Sequence, residues 1–203
     1  DLPRGSLVLD VGCGTGRHLR GTGRGSEEQP TPVVLGSDAN ASLLNLCAQG
    51  GHDVTQADLL ALPYRDATFD AALCVAVLPH FASRARRLGA LRELLRCVRP
   101  GGAALVTCWA VEQEFPERCK GWRRINDGGS RGAETGGDGA AAADDGDGFL
   151  VPYKVPLRVP TGAALAAKLV DGGGGKLERE NVAFERFYHL VAEGELAALV
   201  EAL

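Results

Sequence analysis

Residues 6–16 read SLVLDVGCGTG, a short apolar run that ends in glycines at every second position. An apolar run of this length, closed by glycines, predicts a buried strand of a parallel sheet. Gly12, Gly14 and Gly16 let the backbone turn sharply and let a ligand approach it closely at the start of the next helix. The spacing, D-x-G-x-G-x-G from Asp10, differs from the G-x-G-x-x-G loop of nicotinamide-binding domains. A glycine loop alone is also compatible with a plain turn, so its surroundings decide its meaning.

Apolar runs and helical patterns alternate over the first 110 residues. The predicted strands are 6–11, 33–37, 54–57, 69–77 and 103–110, and the predicted helices between them are 41–49 and 84–98. Strands that alternate with helices in this way indicate a doubly wound, mostly parallel α/β sheet.

Acidic residues follow the predicted strands at positions suited to a nucleoside. Asp38 ends the second strand about 20 residues past the glycines, where a carboxylate can accept hydrogen bonds from a ribose diol. Asp58 follows the third strand, where a carboxylate can bind an adenine amino group. The residues Arg99-Pro-Gly-Gly102 interrupt the chain before the fifth strand.

This ordered set, from Ser6 to Ala110, resembles the class I S-adenosylmethionine-dependent methyltransferases. The resemblance implies a Rossmann-like fold and S-adenosyl-L-methionine as cofactor. It also implies that Asp10 faces the methionine end of the cofactor, that Asp38 binds the ribose and that Asp58 contacts the adenine.

A finer resemblance starts at Cys74. The segments CVAVLPHFAS (74–83), RRLGALRELLRCVRPGG (86–102), WAVEQE (109–114) and RFYHLVAEGEL (186–196) occur in that order. Together they resemble the tRNA wobble-uridine methyltransferases, which esterify 5-carboxymethyluridine. The resemblance implies tRNA as substrate and a small zinc-bearing activator protein as partner, docked on an exposed sheet edge. Pro79 is a departure, because the family usually has a second histidine beside His80.

Esterification suits these residues chemically. A carboxylate nucleophile is ionised at neutral pH, so the enzyme needs a cation to orient it rather than a general base. Arg186 is the first candidate for that cation, and His80, Tyr188 and His189 are further donors. The alternatives are a structural histidine at position 80 and a core edge or interface at 186–189.

Trp109 offers an aromatic face for an unpaired wobble base. The alternative is a core tryptophan at the end of a strand. The arginines of residues 84–99 form a basic helix with its flanks, which is either a solvated face or a phosphate-binding surface. They are Arg84, Arg86, Arg87, Arg92, Arg96 and Arg99.

The net charge of −4 does not exclude tRNA, because the acidity is concentrated in one segment. Residues 126–148 hold eight of the 28 glycines, six acidic residues and a single arginine, which leaves a charge of about +1 on the rest.

We expect a single methyltransferase domain over residues 1–203 with a flexible insert at 126–148. Because only five residues precede the first strand and the last predicted helix reaches the chain end, we expect a core fragment. By comparison with the family that it resembles, this fragment would lack an N-terminal helix and a C-terminal strand hairpin, and we expect it to bind the cofactor weakly and to turn over poorly.

The six cysteines include no C-x-x-C pair and no histidine pair at zinc spacing, so we expect no metal site. Most lie in apolar stretches and are interpreted as small core residues in a reducing, intracellular setting, Cys13 among them. His18 and His52 are interpreted as surface residues. The sequence predicts no membrane span and no signal peptide. The expected location is the cytoplasm, with the nucleus as a second one.

Two other functions remain open from the sequence. A methyltransferase that acts on a small molecule, such as a quinone precursor or a free acid, would share every feature up to Ala110. A non-catalytic scaffold with a methyltransferase-like fold is the second alternative. The intact glycines and acids argue against it, since a scaffold has no need of them.

Overall fold

The computed structural model describes residues 2–3, 5–19, 32–110, 122–125, 148–156, 176–178 and 181–203. The insert predicted at 126–148 lies outside these residues except for Gly148. The sequence also predicts a short helix at 162–170 and a loop at the glycine run 172–175, and both lie outside the described residues. The chain forms two compact units. The first comprises Asp1–Leu78, Ala85–Trp109 and Gly194–Leu203, and the second comprises Pro79–Arg84 and Ala110–Glu193.

A five-stranded parallel sheet forms the centre of the first unit. Its strands are β1 (Leu7–Val11), β2 (Val33–Asp38), β3 (Val54–Gln56), β4 (Phe69–Val75) and β5 (Val98–Thr107). They lie in the order β3-β2-β1-β4-β5, and every neighbouring pair is parallel. The predicted doubly wound, mostly parallel sheet is therefore confirmed.

The predicted interruption before the fifth strand is a bulge within β5. Phe69 pairs with Val98 and Ala71 pairs with Ala103, so the register shifts across residues 99–102. Gly101 has a φ of +77°, which a residue with a side chain rarely adopts. A β-carbon at Gly102 would lie 2.6 Å from the carbonyl oxygen of Asp70, so a larger residue does not fit there.

Helices lie where the sequence periodicity predicts them. They are α1 (Ala41–Gln49), α2 (Arg84–Cys97) and α3 (Glu195–Glu201), with a short 3-10 turn at Leu78–His80. Asn40 caps α1, because its side-chain oxygen accepts hydrogen bonds from the N–H groups of Ser42 and Leu43 at 2.9 and 3.4 Å.

The core of the first unit combines sheet residues with one face of α2. Leu9 of β1 and Phe69 of β4 are fully buried, and Leu94 of α2 is fully buried as well. The ring of Tyr64 packs edge-on against Phe69, with 5.0 Å between ring centroids. Burial of these side chains is the main stabilising contribution to the unit.

Arginines of the predicted basic helix are largely engaged within the first unit. Arg87 is 1% exposed, and its Nη2 lies 3.3 Å from Oε1 of Glu195 on α3. The other engaged residues are Arg92, which donates to the carbonyl oxygen of Ala202, Arg96, which pairs with Glu93 and Asp66, and Arg99, which pairs with Asp70. The hypothesis of a uniformly solvated or phosphate-binding face is therefore wrong for Arg87, since a buried guanidinium requires an internal partner.

The Arg96 side chain joins α2 to the loop before β4. Its guanidinium donates to the carbonyl oxygen of Tyr64 at 2.8 Å and to Oδ1 of Asp66 at 2.6 Å. The Arg96 contact lowers the pKa of Glu93, which also accepts the N–H of Leu62. The role of Arg96 is therefore structural: it holds the loop before β4 against α2.

A four-stranded antiparallel sheet forms the second unit. Its strands are β6 (Arg123–Arg124), β7 (Gly148–Pro156), β8 (Lys176–Glu178) and β9 (Asn181–His189), in the order β6-β7-β9-β8. The sequence of residues 150–160, with three prolines in nine residues, predicts an extended segment, and the aromatic-rich residues 181–190 are compatible with either a strand or a loop. The sequence does not predict that the two segments pair.

The cysteines confirm their interpretation as core residues. Cys13, Cys47, Cys74 and Cys97 are buried, and Cys108 is half-buried; all five are free thiols. Within the described residues no helix is both long and apolar enough to cross a bilayer. The same part of the chain contains no group of three His, Cys, Asp or Glu side chains suited to a metal ion.

The two neighbouring leucines of α2 provide a matched test of this packing. Leu94 is fully buried and Leu95 is 41% exposed. We expect Leu94→Ala to lower the free energy of unfolding by ~2–5 kcal/mol, because it leaves a cavity. Leu95→Ala should change it by less than ~1 kcal/mol. Urea denaturation measures both, and equal losses would show that α2 does not bury the face described here.

Candidate functional site

The ends of four parallel strands bring the predicted cofactor residues to one edge of the sheet. The glycine loop follows β1, Asp38 ends β2, Asp58 lies two residues beyond β3, and Val77 lies two residues beyond β4. The strand order reverses direction between β1 and β4. In sheets of this kind ligands bind at the carboxyl ends of the strands, at such a reversal.

Hydrogen bonds fasten the glycine loop to the end of β2. The N–H groups of Gly12 and Cys13 donate to the carbonyl oxygen of Ser37 at 2.7 and 2.9 Å. The N–H of Gly14 donates to Oδ2 of Asp38 at 2.9 Å. The other oxygen of Asp38 accepts the N–H of Asn40 at 2.8 Å, so both carboxylate oxygens are held in place.

Each glycine of the loop has a positive φ, but the space around the three differs. The φ values are +71° at Gly12, +57° at Gly14 and +79° at Gly16. A β-carbon at Gly12 would overlap Cγ2 of Val77, and one at Gly16 would lie 3.1 Å from Sγ of Cys47. At Gly14 nothing lies within 4 Å. The loop is therefore closely packed at its two ends and open at its middle, where a ligand can reach the backbone.

Asp10 is the buried acid of the site. It is 1% exposed, and its Oδ2 has no hydrogen-bond partner among the described residues. Nδ1 of His18 lies 3.5 Å from that oxygen, which is long for a hydrogen bond. Burial raises the pKa of the Asp10 carboxyl, and the nearby His18 partly opposes that rise. A buried carboxylate oxygen without a donor fits a cationic or hydrogen-bond-donating ligand.

Asp58 is exposed, unlike Asp10. Its Oδ1 accepts the N–H of Leu60 at 2.9 Å, which fixes the turn after β3. Its backbone forms an isolated bridge with Ala61. The carboxylate is thus held at the same edge of the sheet as Asp38 and is accessible to a ligand.

A small apolar cluster supports the glycine loop. It consists of Cys13, Leu19, Leu44 and Cys47. Burial raises the pKa of the Cys13 thiol to about 12, and the adjacent Cys47 thiol adds to the rise. Cys13 therefore remains a neutral thiol at neutral pH, as expected of a small packing residue rather than a nucleophile.

Sequence reasoning missed two residues that shape the loop. Sγ of Cys47 donates a hydrogen bond to the carbonyl oxygen of Gly14 at 3.2 Å. A β-carbon at Gly36 would lie 2.9 Å from Sγ of Cys13, so β2 needs a glycine beneath the loop. A glycine inside a strand pattern is a recognisable signal of close approach, whereas nothing in the sequence indicates the role of Cys47.

These observations fit the S-adenosylmethionine that the sequence resemblance implies. Asp10 offers an oxygen that lacks a donor, Gly14 offers open backbone, and Asp38 and Asp58 offer fixed carboxylates. All six predicted cofactor residues belong to the first unit.

The second unit contains the four residues predicted to act on the substrate, and it brings two of them together. The ring of His80 packs perpendicular to that of Tyr188, with 5.0 Å between centroids. His80 is exposed, whereas Tyr188 is 5% exposed and His189 is fully buried. Because Tyr188 and His189 are consecutive in β9, they lie on opposite faces of the sheet. Arg186 lies in β9 opposite Val151 of β7.

Trp122 also packs against this pair of rings, although no sequence motif indicates it as a site residue. Its ring centroid lies 5.9 Å from that of Tyr188 and 6.3 Å from that of Phe149. Trp109, the tryptophan that the sequence selects, is half-buried in the first unit. The aromatic cluster of the second unit, His80, Trp122, Phe149 and Tyr188, forms through strand pairing between distant segments, so no local pattern predicts it.

Comparison with known proteins agrees with the fold described above. A family model described as a methyltransferase domain matches residues 9–106. The chain is 31% identical over 200 residues to a tRNA (carboxymethyluridine(34)-5-O)-methyltransferase of Schizosaccharomyces pombe, covering 98% of this chain and 73% of the relative. It is 30% identical over 221 residues to the tRNA (carboxymethyluridine(34)-5-O)-methyltransferase alkbh8 of Xenopus tropicalis, covering all of this chain and 32% of the relative.

A solved structure of a SAM-dependent methyltransferase from Methanosarcina mazei has the same fold, with a TM-score of 0.58 at 18% identity. The match covers 99% of this chain and 80% of that chain. Several relatives are much longer than this chain, which spans about a third or less of their length.

The contact between Gly12 and Val77 can be tested by paired substitutions. We expect Gly14→Ala to lower the free energy of unfolding by ~1–2 kcal/mol, the cost of a left-handed residue with a β-carbon. Gly12→Ala should lower it further, because the new methyl also overlaps Val77. Urea denaturation measures both. Val77→Ala is then added to each variant, and it should recover stability in Gly12→Ala but not in Gly14→Ala. If Val77→Ala changes the stability of both variants equally, Gly12 does not lie as close to Val77 as the structure shows.

Proposed function

Because the chain belongs to the family of tRNA (carboxymethyluridine(34)-5-O)-methyltransferases, we propose that it esterifies 5-carboxymethyluridine at the wobble position of tRNA with S-adenosylmethionine. The observation that carries the proposal is a match to a family member over 98% of this chain, which includes both the glycine loop and the RFYH segment at 186–189. We also propose that both compact units belong to a single methyltransferase domain over residues 1–203.

The first unit is proposed to bind the cofactor. S-adenosylmethionine, when bound, supplies a methyl group on a sulfonium sulfur. Asp10 would accept a hydrogen bond from the amino group of the methionine end, since its buried Oδ2 lacks a donor in the described residues. Asp38 would accept from the ribose and Asp58 from the adenine, while Gly12, Gly14 and Gly16 would let the backbone approach the cofactor.

The second unit is proposed to bind the substrate carboxylate and the base. Arg186 would hold the carboxylate, because a guanidinium binds both of its oxygens and leaves the anion ionised. His80 is exposed, so a substrate can reach its ring, and Tyr188 contacts it directly. The fully buried His189 is proposed to orient this part of β9. The aromatic cluster offers faces on which an unpaired base can stack.

Transfer then requires positioning and the exclusion of water rather than proton abstraction. An ionised carboxylate is already a nucleophile, so no residue has to act as a general base. Holding the two reactants in line converts a bimolecular step into an effectively unimolecular one. Arg186 and the residues around it are therefore proposed to determine the rate through orientation.

A small zinc-bearing activator protein is proposed as partner on the strength of the family resemblance. We propose that the modification takes place in the cytoplasm, with the nucleus as a second location.

Several arginines of α2 and its flanks already bind partners within the protein, so fewer of them are available for tRNA phosphates than the sequence suggests. We therefore expect tRNA binding to depend on salt less steeply than six phosphate contacts would require.

A labelled-methyl transfer assay tests the proposed reaction. The protein is incubated with labelled S-adenosylmethionine and bulk tRNA from cells that lack the modification, with and without the purified activator. We expect label in tRNA that mild alkali removes, because a methyl ester hydrolyses and a methylated base does not. Label only in free small acids would favour the small-molecule alternative, and absence of cofactor binding would favour the scaffold.

Substitutions separate the two proposed sites. We expect Asp38→Ala to weaken cofactor affinity by about tenfold or more, since it removes the oxygens proposed to accept hydrogen bonds from the ribose. Arg186→Ala should leave cofactor affinity within about twofold and lower transfer to tRNA by about tenfold or more. Calorimetry measures the affinity, and the labelled-methyl assay measures the transfer.

Two further variants are the controls for this experiment. Asp53→Ala removes an exposed acid just before β3 and should leave both quantities unchanged. Arg186→Lys keeps the charge but not the bidentate geometry, so it should recover part of the transfer. An equal loss of cofactor affinity in Asp38→Ala and Arg186→Ala would contradict the division of roles.

A further inference from the structure

His18 is placed to compete with the cofactor for Asp10. Its Nδ1 lies 3.5 Å from Oδ2 of Asp10, the oxygen that lacks a hydrogen-bond partner among the described residues. The His18 side chain is 39% exposed and that of Asp10 is 1% exposed. A solvent-accessible imidazole thus lies beside a carboxylate that is almost completely buried.

The charges around Asp10 make this contact distinctive. The other titratable groups that face Asp10 within the described residues are the Asp38 carboxylate and the thiols of Cys13, Cys47 and Cys74. A carboxyl group carries no positive charge in either protonation state, and burial raises the pKa of each of the three thiols, which keeps them neutral. Among these groups His18 alone can carry a positive charge.

We infer that His18 is a positioning residue that balances the charge of Asp10 in the free protein and gives up a proton when S-adenosylmethionine binds. This inference rests on the cofactor part of the proposed function. The amino group of the cofactor is a cation, and Asp10 is proposed to bind it. An imidazolium beside the same oxygen would repel that cation, so binding favours the neutral imidazole.

The sign of the pH dependence follows from this exchange. A proton that must leave on binding makes the cofactor affinity fall as the pH falls. Imidazoles change charge between pH 5 and 8, so we expect the affinity to be about tenfold weaker at pH ~5.5 than at pH ~7.5. Release of a proton from Asp10 instead of His18 would give a similar pH dependence, so the source of the proton has to be assigned with variants.

Calorimetry of the complete chain with S-adenosylmethionine tests the inference directly. Binding is measured at pH ~6.5 in two buffers of different ionisation enthalpy, so that the difference in apparent enthalpy counts the protons released. We expect release of a substantial fraction of one proton and an affinity that falls about tenfold toward pH ~5.5. Neither readout depends on catalytic activity.

Three variants assign the proton. His18→Gln keeps a hydrogen-bond donor near Asp10 but cannot titrate, so proton release should disappear and the affinity should become nearly independent of pH. His52→Gln is the matched control, since the His52 ring lies 3.4 Å from where a β-carbon at Gly16 would be, and His52 is not among the groups that shift the pKa of Asp10. It should keep the proton release of the wild type. Asp10→Asn should bind the cofactor weakly and release no proton.

The outcomes distinguish this inference from the proposed function. Cofactor binding without proton release, or proton release that persists in His18→Gln, overturns the role of His18 and leaves the proposed function intact. Failure of the wild type to bind the cofactor at any pH overturns both. Urea denaturation of each variant shows whether it is folded, and the count of protons per bound cofactor is independent of how much affinity a variant loses.

Discussion

The attachment of the glycine loop to the end of β2 is the constraint on which the site depends. Two N–H groups of the loop donate to the Ser37 carbonyl, and a third donates to the Asp38 carboxylate. The loop therefore cannot move without β2, and Asp38 cannot turn away without releasing the loop. Asp38, which is proposed to bind the ribose, therefore also holds the glycine loop in place. The same hydrogen bonds orient its carboxylate before a ligand binds.

The parallel sheet could be predicted because its signals are local. Each strand is a short apolar run followed by a loop, and the ends of such strands must share one edge, which places Asp38 and Asp58 beside the glycines. Arg87 shows where local reasoning stops. Its spacing from Ala90, Leu91 and Leu94 puts it on the buried face of α2, but its partner, Glu195, lies at the other end of the chain. Charge alone therefore suggested a solvated face for a residue that is buried.

The second unit was less predictable because its contacts connect distant segments. β7 and β9 pair across residues 157–180, and the pairing brings Tyr188 opposite Phe149. Trp122 joins them from a third segment. The alternation of residues in β9 could have indicated that Tyr188 and His189 lie on different faces, had the strand been chosen over the loop. The membership of His80 in the cluster depends on a turn that no periodicity describes.

Burial raises the pKa of three titratable groups beneath the glycine loop. It raises the pKa of the Cys13 and Cys47 thiols, so those side chains stay neutral and can pack together without a counter-charge. It raises the pKa of the Asp10 carboxyl as well, and the nearby His18 partly opposes that rise. Of these three buried groups, Asp10 is the one with an oxygen that lacks a hydrogen-bond donor among the described residues. The partly exposed His18 imidazole lies 3.5 Å from that oxygen, where the cationic end of the proposed cofactor would take its place.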